Sequence, residues 1–208
     1  MIESIIKPKL EDHLIFLGDF INKGPESKKV LDYLINLQGS GFNISAVLGN
    51  HEKLLLDMYY QGPPVPDFFQ KGGDQTLKSF GVNTIQDIPR KYIHFIEKLS
   101  PYLIIGSYVI VHAGINFKAK DPWSDIDSML TIRGFQAKAD DIEYDKVIHG
   151  HQARPLSEIL PRVTDPHAVT INLDNGCVYT GREGMGNLFV LNLSDMSFHI
   201  QPCLDQID

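Results

Sequence analysis

Four short apolar runs in this chain each stop at a polar residue beside a glycine: Gly18-Asp19, Gly49-Asn50-His51, His112-Ala113-Gly114 and Gly150-His151. That recurrence constrains the fold more than any other feature. An apolar run this short, bounded by turn residues, reads as a buried strand. In open α/β sheets, ligands sit beyond the carboxyl ends of the strands. Asp, Asn and His offer oxygen and nitrogen donors suited to a borderline divalent cation such as Mn²⁺, Fe²⁺ or Zn²⁺, and the glycines let the backbone turn sharply beside it. Taken singly, each residue has a plainer explanation. Asp19 is a turn residue, Asn50 the N-cap of the next helix, and His112 and His151 are hydrogen-bonded structural histidines. The same placement four times over favours a metal site whose donors are Asp19, Asn50, His112 and His151, gathered by the folded core.

The order of elements follows from the same patterning. Strands are predicted over 13–17 and 43–48, with helices over 26–37 and 52–60 behind them. Gly62, Pro63, Pro64 and Pro66 then read as a loop. Helices follow near 73–80 and 89–98, and strands 103–105 and 108–111 meet at Gly106-Ser107. Residues 116–142 read as irregular and acidic, with Trp123 and Asp125 either in a loop able to cover a substrate or, the commoner outcome, in a packed surface loop. A strand is expected over 146–148, and strand-like runs over 168–173, 187–193 and 196–201. His149 reads as packing beside His151, Cys177 as packing, and Asp174 as either a turn residue or a hydrogen-bonding partner near the metal. Helices mixed with strands early, then strands alone, indicate an α/β or α+β layered fold. No Ser- or Gly-rich linker interrupts the chain, so one domain over 1–208 is expected.

Composition removes several function classes. The 26 acidic residues outnumber 19 basic ones across 208 residues, a net charge of −7. An unspecific nucleic-acid binder needs a basic face instead. Two cysteines, Cys177 and Cys203, cannot build a disulfide framework and fit a reducing, cytoplasmic setting. The longest apolar run, 103–111, holds nine residues and includes Gly106 and Ser107, whereas a membrane span needs about 20. The first residues carry Glu3, Lys7 and Pro8 and do not form a secretory leader. The oligomeric state is not legible.

The motifs resemble one family. Gly18-Asp19-Phe20-Ile21-Asn22-Lys23-Gly24-Pro25-Glu26-Ser27 is similar to the G-D-x-x-D-R-G-x-x-S run of calcineurin-like metallophosphoesterases. Gly49-Asn50-His51-Glu52 matches their G-N-H-E, Val111-His112-Ala113-Gly114-Ile115 their V-H-A-G-L, and Val147-Ile148-His149-Gly150-His151 their V-x-x-G-H. Asn172 to Tyr179 resembles the D-x-G-C-V-x-G stretch of the bacterial branch. That branch holds serine/threonine protein phosphatases and symmetrical diadenosine tetraphosphatases. The resemblance implies a β-sandwich flanked by helices and two divalent metal ions, Mn²⁺ first among the candidates and Fe or Zn the others. It implies that a metal-activated water attacks phosphorus. Asp19 would bridge the ions, and Asn50, His112 and His151 would complete one shell. His51 would be the general acid, and Lys23 and Arg133 would hold phosphate oxygens.

Three departures qualify that picture. Asn22 stands where the family has the Asp that pairs with the catalytic histidine, and Lys23 where it usually has Arg. The family also opens with a strand ending in G-D-x-H-G, and no such motif precedes residue 14. Glu11-Asp12-His13 lies at the wrong end of its strand, and Asp165-Pro166-His167 sits in a Pro-flanked loop. The chain is therefore expected to be an N-terminally truncated form, with its first strand missing, one metal position depleted and activity impaired; a genuine, degenerate protein is the other explanation. The preferred substrate on this reading is a phosphoserine or phosphothreonine protein. The alternatives are a dinucleoside polyphosphate of the Ap4A type, and a non-catalytic module that binds a phosphorylated partner on the same scaffold.

Overall fold

The structure is a computed structural model that describes residues 1–62 and 66–205. Two compact units emerge, one from Pro8–Ser100 and one from Met1–Lys7 together with the chain from Pro101 onward.

The first unit carries two strands and five helices in order: β1 (His13–Phe16), α1 (Ser27–Gly39), β2 (Asn43–Ala46), α2 (Asn50–Gln61), α3 (Pro66–Gln70), α4 (Gly73–Phe80) and α5 (Arg90–Glu97). β1 and β2 run parallel, His13 opposite Asn43 and Phe16 opposite Ala46. Both therefore end at the same edge. The β2 line continues through Val47, which bridges Ser100 in parallel, with Leu48 N–H bonded to Ser100 C=O at 2.7 Å. Leu31, Leu34, Leu55, Phe68, Ile93 and Ile96 supply the buried apolar faces of the helices. α1 buries Leu31, Leu34 and Leu37, the three- and four-residue spacing that puts side chains on one helix face. The predicted loop at 62–66 is corrected at its end. Pro66 opens α3, in the first helical turn, where proline's missing N–H costs nothing. Pro63 and Pro64 lie outside the described residues.

The second unit begins with a single wide turn, Ile2–Ile6, closed by Lys7 N–H on Ile2 C=O at 2.7 Å. It continues with β3 (Tyr102–Ile105), β4 (Tyr108–Val111), α6 (Ile126–Thr131), β5 (Lys146–His149), α7 (Leu156–Thr164), β6 (Thr170–Asn172), β7 (Asn187–Leu191) and β8 (Phe198–Pro202). One sheet has the order β3-β4-β5-β6. The β3–β4 pair is an antiparallel hairpin, and β4, β5 and β6 are parallel. β7 and β8 form a separate antiparallel hairpin. Val109, Ile110 and Val111 in β4, Val147 and Ile148 in β5 and Ile171 in β6 are buried, the Val and Ile pattern of strands covered on both faces. Val109, Val111, Ile115, Met129 and Val147 form the core, with Tyr102, Trp123, Phe135 and Tyr144 packed against it.

Two sequence expectations change here. The stretch 116–142 is not wholly irregular. Asp125 caps α6 by accepting Ser128 N–H at 3.2 Å and Ser128 Oγ–H at 2.8 Å. Trp123 does not stand free as a cover, since its ring lies 5.0 Å from that of Tyr102. The second change is α7, which the periodicity reading left unassigned. Pro161 inside it looks like a breaker, yet Thr164 Oγ–H caps Leu160 C=O at 3.0 Å and the helix persists for nine residues. Among the described residues no helix is long and apolar enough to cross a membrane.

Candidate metal centre

In the first unit the chain leaves β1 through Gly18 at φ 87° and Asp19 at φ 58°, and Asn22 follows at φ 82°. Asp and Asn are the non-glycine residues that tolerate this left-handed region best, and such conformations concentrate at functional positions. The turn is held from below by Glu52. Its fully buried carboxylate accepts Asp19 N–H at 2.8 Å, Phe20 N–H at 2.7 Å and Gly49 N–H at 3.2 Å. One side chain thus ties the loop after β1 to the start of α2. Gly49, and not Asn50, occupies the N-cap position, so the cap expectation for Asn50 is corrected. Asn50 is the first helical residue. Gly49 is there for closeness: a Cβ would stand 2.3 Å from Asp19 Oδ1 and 2.5 Å from Asp19 N.

His51 sits beside this turn, 5 % exposed. Its backbone N–H reaches Asp19 Oδ1 at 3.3 Å, and its Nε2 faces Asp19 Oδ2 at 3.9 Å. Asn22 Nδ2 lies 2.7 Å from His51 Nδ1. The far side of that amide is also committed, because Thr76 Oγ–H donates to Asn22 Oδ1 at 2.8 Å while accepting Asn22 N–H at 2.9 Å. With Oδ1 occupied as acceptor, Nδ2 donates to His51 Nδ1. The neutral ring then carries its proton on Nε2. Lys23, next along, is exposed.

In the second unit, β4 and β5 are parallel, so His112 and the Gly150-His151 turn follow strand ends at one edge. Gly150 N–H bonds His112 C=O at 2.8 Å, locking the two ends together. His151 has φ 68°, a third site residue in the left-handed region. His112 Nε2 and His151 Nδ1 face each other at 3.1 Å. Two donors on one cation, each about 2.1 Å from it and near 90–109° apart, stand about 3.0–3.4 Å apart. The imidazole pair fits a divalent ion on that measure. Arg133 is exposed on the segment after α6.

Several sequence candidates resolve into structure. His149 is buried against the Phe135 ring at 5.2 Å, and burial drives its pKa down to about 4. Asp174 serves its own turn, accepting Gly176 N–H at 2.8 Å. Cys177 is half-buried, and burial pushes its thiol up to about 12, far from a nucleophile. Asp165 accepts His167 N–H at 2.9 Å within its loop, and His13 Nε2 pairs with Ser45 Oγ at 2.8 Å. Two residues escaped the sequence reading. Glu52 had a signal, a Glu three residues after the helix-start glycine. Thr76 had none, because only the fold brings it to Asn22.

The calcineurin-like phosphoesterase family model matches residues 1–189, across both units. The chain belongs to this family. Divalent metal dependence comes with it, and one curated relative is a zinc-dependent endopolyphosphatase of Saccharomyces cerevisiae, 46% identical over 71 residues (34% of this chain, 21% of the relative). Another is a symmetrical bis(5'-nucleosyl)-tetraphosphatase of Legionella pneumophila, 31% identical over 140 residues (63% of this chain, 46% of the relative). The chain therefore spans under half the length of these curated relatives. A solved structure described as a provisional diadenosine tetraphosphatase superposes with a TM-score of 0.65 at 20% identity, covering 98% of this chain and 86% of that one. That likeness concerns the fold, and it agrees with the mixed α/β class read from the sequence.

Proposed function

We propose that this calcineurin-like phosphoesterase is a divalent-metal-dependent hydrolase of phosphoanhydrides, with a dinucleoside polyphosphate as its substrate class. The observation that carries the reading is the imidazole pair His112–His151 at the ends of two parallel strands, spaced at 3.1 Å as cis ligands of one ion are. Asp19, Asn50, His112 and His151 are proposed as the metal-binding residues, with Mn²⁺, Fe²⁺ or Zn²⁺ suited to mixed imidazole and oxygen donors. The substrate class leans on the relatives. By their names they cleave chains of linked phosphates, which displaces the phosphoserine and phosphothreonine preference of the sequence reading.

Bound metal would supply Lewis acidity toward a phosphoryl oxygen and a water of lowered pKa. The remaining work falls to side chains. Asn22 fixes the His51 ring with Nε2–H as the donor that can hydrogen-bond a leaving phosphate oxygen. Glu52 keeps the Asp19 turn in place without competing for a cation, since its oxygens are filled by backbone N–H groups. Lys23 contributes a positive point charge. Arg133 contributes the planar fork that binds two phosphate oxygens at once.

The test is incubation with diadenosine tetraphosphate and Mn²⁺ or Zn²⁺, with nucleotides separated by anion-exchange chromatography. Two ADP would indicate the symmetrical cut, and ATP with AMP the asymmetrical one; either supports the proposal. Hydrolysis of a phosphoserine peptide in preference to the dinucleotide returns the substrate to the phosphoprotein class. Tight binding of the dinucleotide with no turnover under any metal overturns the enzyme reading in favour of a binding module.

A further inference from the structure

We propose that Gln152 is a positioning residue for Arg133, fixing the guanidinium that binds substrate phosphate. The inference rests on the phosphohydrolase reading and deepens it. Arg133 is exposed, but its neighbours are not free. Ile132 N–H closes on Ser128 C=O at 3.0 Å, ending α6. A Cβ at Gly114 would stand 2.8 Å from Ile132 Cγ2 and 2.3 Å from Phe135 Cγ, so both side chains lie on the strand-end glycine after His112. Phe135 also packs edge-on to His149, with ring centroids 5.2 Å apart. Between these two anchors lies Gly134 at φ 65°, a backbone able to swing.

Gln152 removes that freedom. Its side-chain carbonyl accepts Gly134 N–H at 2.8 Å. Its own main chain is clamped twice: N–H to Gly150 C=O at 2.8 Å, and C=O accepting Asn172 Nδ2–H at 2.8 Å. The segment carrying Arg133 is thus tied to the His112 strand end through Gly114 and to the His151 strand end through Gln152. A fork-shaped cation binds phosphate well only when its approach is fixed in advance. The geometry supplies a reason for a glutamine directly after a metal-binding histidine that needs no contact between the glutamine and substrate.

The experiment uses the full chain with Gln152→Met, which keeps length and loses the acceptor, and Gln152→Glu, which keeps the acceptor. Gln152→Ala serves if the Met variant fails to melt cooperatively. Exchange of the Gly134 amide should speed up about tenfold in the Met variant and stay slow in the Glu variant. Titration with inorganic phosphate in the presence of Mn²⁺ should show about five- to tenfold weaker binding for the Met variant, the scale of one neutral hydrogen bond. KM for the dinucleotide should rise by a similar factor with kcat within twofold. In an Arg133→Ala background the Met substitution should add nothing, the signature of residues acting as one unit. Unchanged phosphate affinity in the Met variant, or fully additive losses with Arg133→Ala, would overturn the proposal. If the wild-type chain binds phosphate and hydrolyses nothing, the phosphohydrolase reading falls, and the amide-exchange and phosphate-binding results still decide the role of Gln152.

Discussion

At the carboxyl ends of β1 and β2 the site residues are webbed into backbone; at the ends of β4 and β5 two imidazole nitrogens face each other at 3.1 Å. Glu52 holds Asp19, Phe20 and Gly49, Thr76 holds Asn22, and Asn22 and Asp19 hold His51, through hydrogen bonds of 2.7–3.3 Å. Gly150 N–H bonds His112 C=O, and the ring nitrogens of His112 and His151 stand 3.1 Å apart. The second arrangement brings two imidazole nitrogens together, and they need a shared proton or a cation between them. The difference implies that losing a support such as Glu52 acts through folding, whereas losing His112 or His151 acts through the proposed metal affinity.

The largest expected effect tests the rigid side. Glu52→Ala leaves three backbone N–H groups without their acceptor. The buried Gly49 N–H left unmade costs about 1–3 kcal/mol and the part-buried Asp19 and Phe20 N–H groups less, against a whole-domain stability of about 5–15 kcal/mol. Urea denaturation should show the midpoint falling sharply, with or without metal. A variant as stable as wild type would mean the Asp19 turn does not depend on Glu52. The imidazole side should behave oppositely. Wild type should gain about 2.7 kcal/mol of stability when Mn²⁺ or Zn²⁺ is present at 100 times its dissociation constant. His112→Ala should fold normally without metal and lose most of that gain. Thermal melts with and without chelator read both quantities. Equal metal protection in the variant would remove His112 from the metal-binding set.

This asymmetry also explains what the sequence could reveal. The strand ends were legible because each is an apolar run stopped by a glycine and a polar residue, a purely local signal. Asp19, His51, His112 and His151 were found that way, as was the hairpin at Gly106-Ser107. Of the supports, Glu52 had a local signal, but Thr76 and Gln152 had none. Thr76 lies 54 positions from Asn22 and reaches it only after α4 packs on α1. Gln152 looked like an ordinary polar residue because its partner is a backbone N–H 18 positions away. α7 was hidden by Pro161, whose local preference is outweighed by Ile159 and Val163 buried in the core. Local signals mark the proposed donors, and non-local contacts hold the turns that carry them.

Asn22→Asp sharpens the comparison within the rigid side. A carboxylate at this position accepts a proton-bearing Nδ1, reversing the tautomer that the amide imposes on His51, and stabilises the imidazolium as it forms. Thr76 Oγ–H still has an oxygen to donate to, so the fold should hold. The expected outcome is a rise of up to about tenfold in kcat for substrates with poor leaving groups, which need protonation most, and little change for nitrophenyl esters, which do not. A uniform change across leaving groups would show that Asn22 acts on binding and not on proton transfer.

The smallest effect lies away from both strand ends and calibrates the others. Lys28, Tyr92 and Lys91 hold the Asp32 carboxyl well below its usual range, at about 2, with the Lys28 hydrogen bond the largest cause. The folded pKa is lowered, so the stabilisation is fully present above about pH 4, the ordinary carboxylate range. It fades as pH falls and is gone once the pH passes below about 2, where both states are protonated. Asp32 is partly solvated, so the gain at neutral pH is at most about 1 kcal/mol. Asp32→Asn should lower the urea midpoint slightly at pH 7, with the difference shrinking through pH 4 to pH 2. It should leave metal protection untouched, because α1 and α5 carry none of the proposed metal-binding residues. A metal response altered by Asp32→Asn would mean the first unit transmits surface changes to its donors, and the rigid web around Glu52 would then be softer than its hydrogen bonds indicate.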